Sequence, residues 1–160
     1  WNPLTSQWEA LRVTTHCAGI GKTHLVGDRL SGVLYLMDSQ TATDVDGEGM
    51  RRLRVFRGPE YQGHMMFVPR LQIDMQPGIG TSTGQGVDPQ AMLQVSRDGG
   101  RTWDAELWQP IGKIGQYDTR VIWRRLGSAR NFVLRLVISD AVYPITLLQA
   151  VADNAFEGTS

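Results

Sequence analysis

Residues Ser96-Arg97-Asp98-Gly99-Gly100-Arg101-Thr102-Trp103 constrain this chain more than any other stretch. Alternating runs flank them, Ala91 to Val95 before and Trp103 to Trp108 after. Asp-Gly-Gly between two strand-like runs demands a tight reversal, so the whole reads as a β-hairpin. Gly100 supplies the φ > 0 conformation that a side chain resists. Asp98 can fold its carboxylate onto the N–H groups of the turn, and the Ser96 and Thr102 hydroxyls can satisfy others. Trp103 is expected to cover the turn from below and bury a large apolar face. Each of these residue types has a turn role, so the stretch specifies architecture and no reaction.

The rest of the chain repeats this grammar. Trp1-Asn2-Pro3-Leu4-Thr5-Ser6-Gln7-Trp8 reads as a turn closed by tryptophan, of the kind found in repeated β-blades, and is expected to continue an upstream unit. His24 to Gly27 and Val33 to Met37 flank Asp28-Arg29-Leu30-Ser31-Gly32 and predict a second hairpin. From Asp38 to Gly49 the chain is polar and acidic (Asp38, Asp44, Asp46, Glu48), then turns basic with Arg51, Arg52, Arg54 and Arg57. That reversal is the expected boundary. Residues 1–49 read as blade-like hairpins continuing a propeller, and residues 50–160 as an antiparallel β region.

Met65, Phe67, Pro69, Leu71, Ile73 and Met75 alternate with polar or second-face residues and predict the clearest strand. Pro69 cannot donate to a ladder, which implies an edge position or a bulge. Residues 78–86 and 112–115 are glycine-rich loops. Beyond them, Arg120 to Leu126 carries Trp123 as a core anchor with Arg124 and Arg125 at its rim. Phe132, Leu134, Leu136 and Ile138 share one face of a further strand, and Ile145 to Val151 reads as a last one. The fold class is all-β with antiparallel sheets, either blade-like or sandwich-like.

Several motifs imitate binding sites and fall short. Gly19-Ile20-Gly21-Lys22-Thr23 resembles the end of a phosphate loop, but His16 stands where the first glycine is required. Asp44-Val45-Asp46-Gly47-Glu48-Gly49 begins like a calcium loop, yet Val55 replaces the bidentate glutamate. A solvated acidic turn is the expected reading. His16, His24 and His64 are scattered, and no cysteine–histidine spacing suits zinc. Neither a nucleophile frame nor a placed pair of carboxylates emerges, so no catalytic residue, cofactor or metal is assigned. The net formal charge is zero, from 16 basic and 16 acidic residues. That balance supplies no gross attraction to nucleic acid or membrane. No run of about 18 apolar residues is present to span a bilayer.

The spacing Ser-x-Asp-x-Gly-x-Thr-Trp resembles the Asp-box, a hairpin motif known from sialidases and other β-propeller-like proteins. Its five defining positions are Ser96, Asp98, Gly100, Thr102 and Trp103. The resemblance implies a structural clasp away from any active site.

At larger scale, ordered segments run across nearly the whole chain. They are Thr5-x-x-Trp8; Gly21-Lys22, followed by Val26-Gly27-Asp28-x-x-Ser31-Gly32-x-x-Tyr35; Arg52-x-Arg54; and Leu71-x-x-Asp74-x-x-x-Gly78-x-Gly80. Pro89-x-x-Met92-Leu93 leads into the clasp, then come Gly112-x-x-Gly115-x-Tyr117, Arg120-x-x-Trp123-x-x-Leu126-Gly127-x-x-Arg130 and Ser139-Asp140. In this order they resemble the C-terminal part of the packaged-DNA stabilisation proteins of short-tailed bacteriophages, also called tail accessory, tail-hub or nozzle proteins. Family members are several times longer, with a β-propeller upstream.

That resemblance implies a non-enzymatic virion component, assembled in the bacterial host cytoplasm. It implies a homo-oligomeric ring, typically a hexamer, below the portal and adaptor, next to other tail proteins. The ring would prolong the tail channel, let DNA pass without sequence-specific binding, and help retain it. A near-neutral chain suits such a channel wall. Basic residues are arginine at every position except Lys22 and Lys113, and arginine is enriched at protein interfaces. Arg51, Arg52, Arg54, Arg57, Arg120, Arg124 and Arg125 are therefore the candidate subunit interface. The acidic 38–48 segment is expected to complement them, either between subunits or within one. The competing readings are a sialidase- or glycoside-hydrolase-like propeller enzyme and a carbohydrate- or protein-binding β-module. The first normally carries one Asp-box per blade. The second would use Trp1, Trp8, Trp108 and Tyr117 as an aromatic platform.

Overall fold

A computed structural model describes residues 13–19, 23–38, 40–43, 47, 49–140, 142 and 144–156, the last three by backbone alone. The Trp1–Trp8 turn, Lys22, and Asp44, Asp46 and Glu48 of the acidic segment lie outside the described residues. The chain divides into two compact units after Thr41.

The first unit is a three-stranded antiparallel sheet of β1 (Val13–Ala18), β2 (His24–Asp28) and β3 (Leu34–Met37), in that order. Asp28 builds the β2–β3 turn. Its carboxylate accepts from the Leu30 N–H at 3.0 Å and the Ser31 hydroxyl at 2.6 Å, and Gly32 takes φ +68°. Short-range bonds of this kind fix the turn geometry locally, without help from distant residues. Among the described residues of this unit only Val26 and Asp28 are buried, and every residue of β1 is exposed.

The second unit holds β4 (Arg52–Arg57), β5 (Met66–Met75), β6 (Gln90–Ser96), β7 (Leu107–Pro110), β8 (Val121–Arg124), β9 (Ser128–Ala129), β10 (Val133–Ile138) and β11 (Leu147–Phe156). One sheet runs β4-β10-β6-β7 and the other β11-β5-β8, with β9 pairing β5. Ala91, Leu93 and Val95 on β6 and Leu134, Leu136 and Ile138 on β10 face Leu71, Ile73 and Met75 on β5 and Trp123 on β8 in one core. Two sheets sharing one core make a β-sandwich. Each buried aliphatic side chain contributes about 1.5–3 kcal/mol. Trp123 also bridges the layers, donating its indole N–H to the Leu107 carbonyl at 2.8 Å.

Two strand expectations change. Met65, Phe67 and Pro69 were to share the face of Leu71, but the phase of β5 reverses at Pro69. Met66 and Val68 are buried before it, Leu71, Ile73 and Met75 after it, and Phe67 points to solvent. The cause is a bulge. Asp153 pairs with Arg70 but Ala155 with Phe67, so β5 spends one residue more than β11 over this interval. β5 is flanked on both sides, so Pro69 marks a bulge in a central strand and not an edge. The strand after the clasp also starts later than the Trp103–Trp108 run implied. It begins at Leu107, with Leu107 opposite Leu93, because Asp104 N–H bonds the Val95 carbonyl at 2.8 Å and closes the turn first.

Candidate functional site

The clasp turn is held from within by one carboxylate. Asp98 accepts from the Thr102 N–H with both oxygens (2.9 and 3.0 Å), the Thr102 hydroxyl (2.7 Å), the Ser96 hydroxyl (2.7 Å) and the Arg101 N–H (2.9 Å). Ser96, itself buried, accepts from the Gly100 N–H at 2.8 Å. The Thr102 hydroxyl therefore donates to the carboxylate and does not cover a turn N–H as anticipated. Gly99 and Gly100 both take positive φ, +78° and +97°. Hydrogen bonds from Thr102, first through its backbone and then its hydroxyl, and from Ser96 hold the Asp98 carboxyl well below the usual carboxylate range.

Outside the turn, the same loop is fastened to the crossover between the two sheets. Gly99 N–H bonds the Asn131 carbonyl at 3.2 Å, and Arg97 donates to the Leu126 carbonyl at 2.9 Å while pairing with Asp104. The segment 126–131 carries the chain from β8 in one sheet to β10 in the other, so the clasp pins that transfer. Trp103 is only half-buried. It lies on the outer face of the sheet under the Arg135 guanidinium, and its apolar face is less buried than expected. A cleft of about 280 Å³ opens beside the clasp, lined by Arg57, Glu60, Gly99 and Asn131.

The candidate interface arginines occupy two places. Arg52, Arg54 and Arg57 lie on β4, one edge of the four-stranded sheet β4-β10-β6-β7, with Arg51 just before it. Arg124 ends β8, with Arg120 before and Arg125 after it. β8 packs beside β7 through Trp123 and Leu107, and β7 is the edge opposite β4. The two arginine strands thus sit at opposite margins of the sandwich, roughly three strand spacings of about 4.8 Å apart. They form no single patch. Arg52 is spent on the carbonyls of Met50 and Asp140 (3.2 and 3.3 Å), and Arg57 meets Glu60 at 4.0 Å. Arg51, Arg54, Arg120, Arg124 and Arg125 are exposed. Apolar side chains stand exposed at both margins, Leu53 and Val55 on β4 and Leu107 and Trp108 on β7.

On the outer face of the second sheet, Asp74 accepts from Gln72 at 2.6 Å and Gln149 at 2.7 Å. Those amides, Gln149 foremost, with Arg120 nearby, lower its pKa. It lines an open cleft of about 420 Å³ with Tyr117, Arg120 and Leu148. The expectation that the histidines are scattered holds for His64 but fails for the other two. His16 Nε2 and His24 Nδ1 lie 2.9 Å apart with the rings stacked. The two residues are eight apart in sequence, and only the β1–β2 pairing register could have revealed the contact. Among the described residues no group of three or more histidine, cysteine or acidic side chains is arranged to hold a metal ion. No helix among them is long and apolar enough to cross a membrane.

The sandwich corresponds to a known domain. A family model described as "Bacteriophage P22 Gp10, beta-sandwich" matches residues 52–153, which run from the first residue of β4 into β11. No curated protein matches the chain.

Proposed function

We propose, from the premise that the chain belongs to the bacteriophage P22 Gp10 β-sandwich family, that it is the sandwich portion of a ring in a phage tail. The coarser statement follows from membership itself: it is a structural component of a phage tail and resides in the virion. The ring reading adds that several copies, six by resemblance, extend the portal–adaptor channel and help retain packaged DNA. It adds that a propeller precedes this region, that other tail proteins adjoin it, and that assembly takes place in the host cytoplasm. Specific hydrolysis has no part in this reading.

The observation that carries the proposal is the family match across the sandwich. The geometry is compatible with it in one respect. A ring closes through heterologous contacts, in which one side of each copy meets a different side of the next. Arginines flanked by exposed apolar side chains stand at opposite margins of this sandwich, where such contacts would form. A formal charge of zero suits a channel wall along which DNA slides without being held.

Solution mass of the protein expressed from its complete reading frame, measured across a salt series, tests this. A ring-sized species is expected for the wild type. Arg51→Glu/Arg52→Glu/Arg54→Glu is expected to give folded monomer, and added salt to weaken the wild-type ring, since exposed charges are screened over about 8 Å at physiological salt. A monomeric wild type at all concentrations overturns the ring. The same oligomer in both proteins, with the same salt response, removes these arginines from its interface.

A further inference from the structure

Closing a ring brings two different margins of the sandwich together, and both carry arginine. At the β4 margin, Arg51 and Arg54 are exposed, and neither meets a carboxylate among the described residues. At the other, Arg124 and Arg125 are exposed where β8 ends. Arginine set against arginine repels, so the β4 margin needs carboxylates on its neighbour. Glu60, Asp88, Asp104 and Asp153 are each paired with a cation of their own chain, and Asp98 is engaged by its turn. Asp118 differs. It is exposed, forms no hydrogen bond or ion pair among the described residues, and lines the open cleft of about 420 Å³ together with Asp74.

The walls of that cleft are held in place. The amides of Gln72 and Gln149 fix the Asp74 carboxylate at 2.6 and 2.7 Å, one on each oxygen, which leaves each oxygen able to accept a further donor. Tyr117 is seated on the backbone of Gly78. Gly78 takes φ +73°, and a Cβ there would lie 2.6 Å from Cε1 of the tyrosine ring. The residue is nevertheless 69% exposed, and Leu148 beside it 68%. An aromatic ring already held in this way offers contact area at little entropic cost on docking. The cleft lies at the approach to β8, which edges its sheet on the β7 side, away from β4.

The β4 margin offers matching chemistry. Leu53 and Val55 are exposed among its arginines. Arg54 pairs with Leu136, a core residue, so it points to the core side of the sheet at an open edge. An inward charge on an edge strand opposes addition of another strand, which leaves docking through side chains. We infer, on the premise of the ring, that the cleft of Asp74, Asp118 and Tyr117 receives Arg51 and Arg54 from a second copy of this chain, with Leu53 and Val55 against Tyr117 and Leu148. A guanidinium both paired with carboxylate and laid on an aromatic face is a contact that arginine makes and lysine does not reproduce. Each copy's cleft takes the next copy's margin, the head-to-tail contact that closes a ring.

Charge reversal in the protein expressed from its complete reading frame, followed by solution mass, tests the inference. Asp74→Arg/Asp118→Arg and Arg51→Asp/Arg54→Asp should each weaken association about a hundredfold or more, because each sets like charges together across the contact. Mixed in equal amounts, the two variants should assemble again, since each supplies the sign that the other lacks. Asp118→Arg alone, at an exposed position, should act in the same direction, and circular dichroism of every variant separates lost docking from lost folding. If the wild type assembles and the cleft variants assemble equally well, or if the mixture stays monomeric, the cleft is overturned as the receptor while the ring stands. A wild type that is monomeric at every concentration overturns both.

Discussion

The Arg135 guanidinium carbon stands 4.2 Å from the centroid of the Trp103 ring, across the outer face of the β4-β10-β6-β7 sheet. The same guanidinium donates to Gln94 Oε1 on the neighbouring strand through two nitrogens. Burial, then repulsion from Arg51, lowers the arginine's pKa, yet a guanidinium stays charged throughout the physiological range. The clasp tryptophan is thereby held by a cation on the sheet's outer face and not by the core.

Trp103→Ala is accordingly expected to cost about 1–2 kcal/mol, the sum of a partial apolar burial and a cation–π contact. Chemical denaturation of Trp103→Ala, Arg135→Ala and the double variant checks this. The double variant should lose less than the sum of the two single changes, because each already breaks the shared contact.

Trp123 makes the contrast. It is fully buried and its indole N–H ties β8 to the Leu107 carbonyl in the other sheet. Trp123→Ala should cost about 3–5 kcal/mol through cavity formation. Trp123→Phe should still cost about 1–3 kcal/mol, because the carbonyl loses its partner. Thermal unfolding followed by circular dichroism distinguishes the two variants.

The Asp98 carboxyl titrates below its unfolded value because the turn donors favour its charged form. A depressed folded-state pKa contributes stability that is fully present above the unfolded value of about 3.9 and is lost as pH falls through the folded-state value. Asp98→Asn should therefore be less stable than the wild type near neutrality, with the difference shrinking as pH drops below about 4. Urea midpoints from pH 7 to pH 2 measure it. A difference independent of pH would contradict the assignment.

Gly112 sits at φ +117°, and a Cβ there would lie 2.8 Å from Thr119 Oγ1 and 2.9 Å from the Gln116 carbonyl. Gly112→Ala should cost more than about 1–3 kcal/mol, since backbone strain and a steric clash add. A stability loss below that range, in the same denaturation assay, would mean that the 112–119 loop relaxes freely.

How much of this was legible beforehand depends on range. The turns were, because Asp28 and Asp98 form theirs from atoms within four residues, and glycine frees the backbone at the same places. The faces of β10 and the core role of Trp123 were also legible, since alternation and size are properties of the sequence itself. The phase of β5 was not. A bulge is a mismatch between two strands, and Pro69 signalled a fault without saying which face it would reverse. Nor could the sequence show that Arg51–Arg57 and Arg120–Arg125 end up at opposite margins, that Trp103 would lie under Arg135, or that His16 would meet His24. Those depend on which strands pair and in what register, which is decided by burial summed over residues far apart in the chain. Local chemistry determined where this chain turns; the shared core determined which of its strands became neighbours.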